Sequence, residues 1–220
     1  MEHKVDLTEI SDGTLYSLND TVTLSCDGCR CLSEHARCCH FAEDTITLDP
    51  FDIFQLTCAG YPFVTLFQKE IISLAPVSSV LLPHLNFNDS GSCPFLDADG
   101  RCSIHAFRPG LCRLFPLARG YGENRLFYVK QIHECPIPTG QPVSVRDWLG
   151  LADATRYEQF CFDWHTLVTQ FRERLQTTSG HETRTTLSTR FLSIFFFAPY
   201  EIGASFYEQY ALRQKEFKEI

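Results

Sequence analysis

The sequence predicts an α+β fold, with a small, irregular cysteine-rich region of short strands and helices followed by a helical C-terminal region. Two observations predict it: prolines and glycines interrupt any regular period in the first two-thirds of the chain, whereas apolar residues recur at helical spacing over residues 153–176. A chain of 220 residues can bury a core without disulfides. We therefore expect one domain, with residues 144–220 packed on a cysteine-cluster region at residues 1–143.

The expected elements before residue 90 are short. Alternating apolar positions up to Leu24 suit a strand that leads into the first cysteine cluster. Asp49 and Pro50 mark a helix start, because aspartate accepts hydrogen bonds from the first backbone amides and proline fits the first turn. That helix should end at Gly60. The other elements expected here are a strand over 45–48, a helix or strand pair over 62–74 and a strand over 77–82.

The segment from residue 93 to residue 116 should form loops and short turns, because five prolines and glycines break its period. Residues 126–132 are the strongest strand candidate, rich in aromatic and β-branched side chains. A connector over 136–142 leads to Ser144, the expected cap of a short helix over 145–151.

The C-terminal third is expected to be helical. The periodic segment 153–176 predicts a long amphipathic helix, and residues 177–180 should end it. We expect a polar linker to about residue 186, an apolar stretch to Ala198 and a terminal helix over 200–218.

Composition and charge exclude several partners. The formal charge of −8 argues against nucleic acid, which calls for a clustered basic face. The chain opens without a secretory signal pattern, and the late apolar run at 191–198 is shorter than the roughly 20 residues of a membrane span. We expect a cytoplasmic protein with no membrane partner. In that compartment, clustered cysteines indicate metal binding or redox chemistry more often than disulfides.

Nine of the eleven cysteines are clustered. Cys26 and Cys29 have the two-residue spacing that lets two thiolates reach one metal. The adjacent Cys38 and Cys39 diverge in an extended chain, so they serve one metal in a tight turn, or otherwise two metals or two corners of one cluster. The expected metal ligands are Cys26, Cys29, Cys38, Cys39, Cys93, Cys102, Cys112 and Cys135, enough for two four-thiolate sites or for one cluster with spare ligands.

Residues near the expected ligands are expected to have other roles. A four-thiolate metal carries negative charge, which Arg101, Arg108 and Arg113 would compensate unless they are ordinary surface residues. Cys58 and Cys161 lie on apolar helix faces and are expected in the core. The histidines at positions 40, 105 and 165 are expected to pack beside other groups rather than to bind metal.

Several enzyme motifs are absent from the sequence. No cysteine triplet has the radical-SAM spacing, and the bacterial ferredoxin run fails after Cys29. Neither a phosphate-binding glycine loop nor a Gly-x-Ser-x-Gly elbow occurs. No catalytic residue can therefore be named from the sequence, and whether the protein is an enzyme stays open.

Three blocks in a fixed order carry a family resemblance. They are Cys26-x-x-Cys29 followed by Cys38-Cys39, then residues 46–53, then Cys93-Pro94-Phe95-Leu96 with Cys102-Ser103-Ile104-His105-x-x-Arg108-Pro109-x-x-Cys112-Arg113-x-Phe115-Pro116. Over residues 22–136 the chain resembles the YkgJ-type cysteine-cluster family, which implies chelation of zinc or iron by the cysteines. The flagellin lysine N-methylases look similar over the same domain.

The chain departs from the family pattern in two places. The family brings its double cysteine close behind the first pair, whereas here residues 30–37 intervene and add Cys31, which either replaces a usual ligand or is spare. His105 stands where the family commonly has tyrosine, which lessens a ligand role for it.

The leading hypothesis is a metal-binding protein that chelates zinc or iron through these cysteines. One alternative is an iron–sulfur protein with redox or protein-lysine methyltransferase activity. Another is a structural metal in a protein-interaction module whose C-terminal helices bind a partner, favoured if an aromatic stripe at Phe206, Tyr207, Tyr210 and Phe217 is exposed. Sulfur ligands suit both zinc and iron–sulfur centres, so the pattern alone does not choose the metal.

Overall fold

A computed structural model describes residues 11–24, 39, 46–132 and 140–219 of the chain. Within them the fold is mixed α+β, as the sequence predicts, with three two-stranded antiparallel sheets and seven α-helices. The strands are β1 (Thr21–Leu24), β2 (Ile72–Val77), β3 (Val80–Leu85), β4 (Leu117–Tyr121), β5 (Leu126–Lys130) and β6 (Gln141–Ser144). The helices are α1 (Pro50–Cys58), α2 (Phe63–Gln68), α3 (Gly110–Leu114), α4 (Val145–Leu149), α5 (Ala154–Thr177), α6 (His181–Leu192) and α7 (Phe206–Lys218).

Helix α1 begins where the sequence predicts. The Asp49 side chain accepts from the Asp52 amide, the Asp52 side chain accepts from the Asp49 amide, and Pro50 occupies the first turn. This reciprocal capping satisfies two backbone donors that the helix itself leaves without acceptors. The helix ends at Cys58, just before Gly60 with its positive φ of 92°.

The strand expected at 45–48 is reduced, in its described part, to an isolated bridge between Thr47 and His84. Backbone hydrogen bonds join Leu48 to Pro83 (2.8 Å) and Leu85 to Ile46 (3.0 Å). The segment therefore lies beside β3 without extending its ladder.

The strand predicted over 77–82 is wrong, because a turn divides it. Ser78 and Ser79 both have positive φ, 48° and 77°, and they connect β2 to β3. Positive φ at both central residues is the pattern of a type I′ hairpin turn, which usually carries Asn-Gly. Two serines at these positions do not predict a type I′ turn, so the sequence does not indicate the hairpin.

The cysteine-rich segment contains more regular structure than expected. Residues 110–114 form α3, and Leu117–Tyr121 forms β4, which pairs with β5 from Leu117↔Lys130 to Tyr121↔Leu126. The expected connector also includes a strand, β6, which pairs with β1. A 3-10 turn, His105–Phe107, lies just before α3.

Helix α5 covers the periodic segment as predicted, with Asp153 accepting from the Arg156 amide at its start. The polar linker to residue 186 is wrong, because α6 begins directly after Gly180. A π-helical turn, Ser193–Phe197, continues α6, and the terminal helix α7 begins at Phe206 rather than at residue 200. Within the described ranges, no helix is long and apolar enough to cross a membrane.

The aromatic stripe on α7 belongs to the core. Phe206, Tyr210 and Phe217 are buried, and Tyr207 is half-buried. Their rings contact Phe51 of α1, Phe160 of α5 and Phe191 of α6. The exposed stripe that would have favoured a protein-interaction module is therefore not present.

Candidate metal centre

Four of the eight expected ligands lie within the described residues: Cys39, Cys93, Cys102 and Cys112. All four are half-buried, and the last three pack against the hydrophobic core. The other four, Cys26, Cys29, Cys38 and Cys135, lie outside the described residues, as do Cys31 and His40.

Cys39 of the first cluster contacts the second cluster. The backbone N–H of Cys93 donates to the backbone oxygen of Cys39 at 2.9 Å, although 54 positions separate them. Cys39 stands directly after Cys38 in the first cluster. The contact therefore brings Cys39 beside the start of the second cluster.

A tight loop brings Cys102 back towards Cys93. Leu96 forms a bridge with Cys102, and its amide donates to the Cys93 oxygen at 3.1 Å. The Asp97 carboxylate closes the loop by accepting from the amides of Asp99 (3.0 Å) and Arg101 (2.8 Å). The Arg101 side chain is exposed, so it is a surface residue rather than a buried counter-charge.

Cys112 is presented by the short helix α3. Pro109 immediately precedes the helix and Gly110 begins it. The Gly110 amide donates to the buried Asp52 carboxylate at 2.7 Å. The backbone before Cys112 is therefore tied to α1.

Among the described residues, no three histidine, cysteine, aspartate or glutamate side chains are grouped so as to hold a metal ion. The four described cysteines come from three separate stretches of chain. A complete site on the predicted pattern would draw further thiolates from positions 26–38 and 135.

A buried arginine lies directly beside Cys112. Arg113 is 3% exposed and donates to the backbone oxygens of Leu149 (3.1 Å), Ala106 (2.9 Å) and Arg108 (3.5 Å). Its Nε is buried and has no hydrogen-bond partner among the described residues. Burial lowers the pKa of Arg113, and the nearby Arg108 cation adds to this shift. The guanidinium still carries a full positive charge at neutral pH.

His105 lies next to a second cation. Arg108 donates to the His105 backbone oxygen at 2.8 Å, and its guanidinium lies 3.3 Å from Nδ1 of the ring. Burial lowers the pKa of His105, and the charges of Arg108 and Arg113 lower it further. The imidazole is therefore neutral at pH 7 and packs beside the arginine, in keeping with the expected packing role.

Cys161 is buried in the core, as expected, whereas Cys58 is only half-buried at the end of α1. His165 stacks on the Tyr121 ring with a centroid separation of 3.7 Å, which fits a structural role.

Sequence reasoning missed a polar cluster around Cys161. The thiol contacts the Arg119 guanidinium, which also donates to the Tyr157 hydroxyl at 3.4 Å. Asp49 is near enough to influence these groups electrostatically. Burial raises the pKa of Cys161 to about 12. The thiol is therefore protonated at neutral pH and is not a reactive thiolate. The four groups come from the start of α1, from β4 and from α5, so no local spacing could have indicated the cluster.

No curated protein and no solved structure was found to match this chain. One protein family does match: the model of the CxxCxxCC family, described as a putative zinc- or iron-chelating domain, covers residues 25–136. That range includes all eight expected ligands and about half of the chain. The chain belongs to the CxxCxxCC family.

Proposed function

We propose that the protein holds zinc or iron through thiolates of the two cysteine clusters, with the ligands Cys26, Cys29, Cys38, Cys39, Cys93, Cys102, Cys112 and Cys135. The observation that carries the proposal is the buried Arg113 guanidinium beside Cys112. The contact of Cys93 with Cys39 supports it, because it joins the two clusters.

The argument from Arg113 is electrostatic. Burying an unpaired cation is costly, and buried charges are normally paired or lie near a metal site. All three hydrogen bonds given above for Arg113 go to neutral backbone carbonyls, and its Nε has no hydrogen-bond partner among the described residues. A metal with four thiolates carries a net negative charge. Such a centre at Cys112 would place further negative charge next to the guanidinium, on which the buried Asp52 side chain already acts electrostatically.

The donor set fits the family's metals. Thiolates bind zinc in closed tetrahedral sites and also hold iron–sulfur clusters. When bound, the metal would cross-link stretches of chain that are far apart in the sequence, so its binding free energy would also stabilise the fold. A cytoplasmic location, the absence of a nucleic-acid partner and the division near residue 144 stay predictions.

The test is metal content and absorption of protein purified without oxygen or added metal. Cys29→Ser/Cys102→Ser should lose metal, because it removes one thiolate from each cluster. The control, Cys58→Ser/Cys161→Ala, removes the same number of thiols outside the clusters and should keep its metal. Iron with acid-labile sulfide and absorption near ~400 nm would identify an iron–sulfur cluster. Stoichiometric zinc without colour would identify a zinc site. Equal metal content in the two double variants would overturn the proposal.

A further inference from the structure

The buried Asp52 carboxylate links α1 to the helix that carries Cys112. Asp52 is 2% exposed. One carboxylate oxygen accepts from the Gly110 amide at 2.7 Å, and the other accepts from the Asp49 amide at 3.0 Å. Gly110 is the first residue of α3 and stands two positions before Cys112. One carboxylate therefore ties the start of α1 to the start of α3.

Tyr157 of α5 also lies against Gly110. The Tyr157 side chain is 1% exposed. A Cβ atom added to Gly110 would overlap the hydroxyl oxygen of Tyr157, so α3 lies directly against that hydroxyl. Arg119 donates to the hydroxyl at 3.4 Å and holds it in place. Gly110 is thus enclosed between a carboxylate of α1 and a phenol of α5.

Helix α3 has only five residues. A helix this short does not form on its own, so contacts with neighbouring elements must set its position. Burying a carboxylate is also costly unless its hydrogen bonds are made, and Asp52 makes them to backbone groups at the two helix starts. The contacts therefore fix where α3 begins.

We propose that Asp52 and Tyr157 are positioning residues, which hold α3 so that the Cys112 thiolate reaches the metal. The inference rests on the proposed function, because it assumes that Cys112 is a ligand. Neither residue touches the metal in this proposal; both act through the backbone of Gly110.

Asp52→Asn tests the carboxylate with little change in shape. An amide offers one acceptor oxygen and one donor nitrogen, so it cannot accept from both backbone amides. We expect Co²⁺ affinity to fall about tenfold, the lower end of the loss when a group supporting a metal ligand is mutated. The thiolate-to-cobalt absorption bands should also change in energy or intensity, which a purely structural loss of stability would not cause. Asp49→Asn is the control, since asparagine still caps α1 and the Asp52 side chain still accepts from the Gly110 amide.

A second pair of variants tests the contact with Tyr157 independently. Gly110→Ala should displace α3 and weaken Co²⁺ binding, because the added methyl group overlaps the hydroxyl. Tyr157→Phe removes that oxygen and leaves ring carbon Cζ at an ordinary 3.5 Å from the new Cβ. The double variant Gly110→Ala/Tyr157→Phe should therefore regain Co²⁺ affinity and spectrum relative to Gly110→Ala alone.

The outcomes separate the two proposals. If the wild-type protein shows no thiolate-to-cobalt absorption, the proposed function fails and this inference fails with it. If the wild type binds Co²⁺ through thiolates, unchanged affinity and spectrum in both Asp52→Asn and Gly110→Ala would overturn the inference alone. Should Asp52→Asn not fold, as judged by circular dichroism, the presence or absence of rescue in the Gly110 pair decides the question.

Discussion

Two buried arginines differ in what surrounds them: Arg213 lies in the helical region formed by α5, α6 and α7, and Arg113 lies in α3, at the end of the cysteine region over residues 93–114. Arg213 of α7 donates to the backbone oxygens of Ile194, Ala198 and Pro199 at 2.6–2.9 Å, and its guanidinium lies 3.7 Å from the Tyr200 ring centroid. Arg113 also donates to three carbonyl oxygens, but its Nε has no hydrogen-bond partner among the described residues.

The same contrast extends to the surrounding interior. Around Arg213 the helices α5, α6 and α7 pack aromatic rings against one another, with Phe191 contacting the rings of Trp164, Phe171 and Phe217. The segment around Arg113 is formed by short turns and the five-residue α3. The helical region therefore closes its own interior, whereas the cysteine region holds a cation beside an expected thiolate. If the proposed function is correct, only the cysteine region needs a bound metal to balance the charge in its interior.

The largest expected effect lies in the helical region. Phe191 is fully buried, so Phe191→Ala should lower the free energy of unfolding by about 3–5 kcal/mol through lost burial and a cavity. Urea unfolding, followed by circular dichroism with and without a chelator, measures the change. Because these ring contacts lie among α5, α6 and α7, the loss should be the same in both conditions. A loss that depends on metal would contradict the contrast between the regions.

Substitutions of the two arginines test the contrast between the helical and the cysteine region most directly. On the proposed function, Arg113→Met should weaken metal binding, because it removes the cation beside the thiolates. In metal-free protein the same change should cost less stability than it does with metal, because the loss of three carbonyl hydrogen bonds is partly offset by the removal of a buried charge. Arg213→Met should cost about 2–3 kcal/mol in either state, because it leaves carbonyl oxygens without donors.

Metal titration and chelator-dependent urea unfolding of both variants check this expectation. A cost for Arg113→Met that is as large without metal as with it would mean that the carbonyl oxygens alone account for the arginine. Arg113 would then lose its value as support for a metal centre.

Alkaline pH should act at buried groups near Arg119, among them Cys161 and Tyr121. Burial raises the pKa of Cys161 and of Tyr121 to about 12 each, above their ordinary values of 9.0 and 10.0. Between about pH 9 and pH 12 the unfolded chain loses these protons while the folded protein keeps them. Stability is therefore complete below pH 9 and falls as the pH rises, by at most about 1.4 kcal/mol per pH unit for each group.

Cys161→Ala isolates the thiol's share of this effect. The variant should show a shallower loss of stability from pH 9 to pH 10, measured by urea midpoints at each pH. Cys58→Ala is the comparison, since that thiol is only half-buried and its change should leave the slope closer to wild type. Identical slopes in all three proteins would mean that Cys161 is not the titrating group.

Local signals predicted local structure. Asp49 and Pro50 marked the start of α1 because capping acts within one turn, and the period of α5 was visible because one face of the helix is buried along its length. Helix α6 was missed because its first turns are polar and exposed. Threonine hydroxyls there bond carbonyls four residues back, as Thr185 does to His181, while Leu187 and Phe191 anchor the helix in the core.

The environment of the cysteines was less predictable. Residue types and order predicted a thiolate site, but the contact of Cys93 with Cys39 and that of Asp52 with Gly110 join segments more than 50 positions apart. Strand β4 was missed because Arg119 and Gly120 interrupt its apolar pattern. The structure explains why these two residues occur in the strand. Arg119 contacts buried groups of α5, and the Phe127 ring fills the space above Gly120.

The smallest expected effect concerns the hairpin of β2 and β3, which packs through β3 against α5 and α6. Ser79 has a φ of 77°, a conformation that costs a residue with a Cβ about 1–2 kcal/mol. Ser79→Gly removes this strain but adds backbone entropy to the unfolded chain, so the free energy of unfolding should rise by about 0.5–1 kcal/mol. Ser179→Gly, at an exposed loop position outside the positive-φ set, should lower it slightly instead. Because the hairpin packs on the helical region, the gain in the urea midpoint should be the same with and without a chelator. A gain that vanishes when metal is removed would mean that the stability of the hairpin depends on the cysteine region instead.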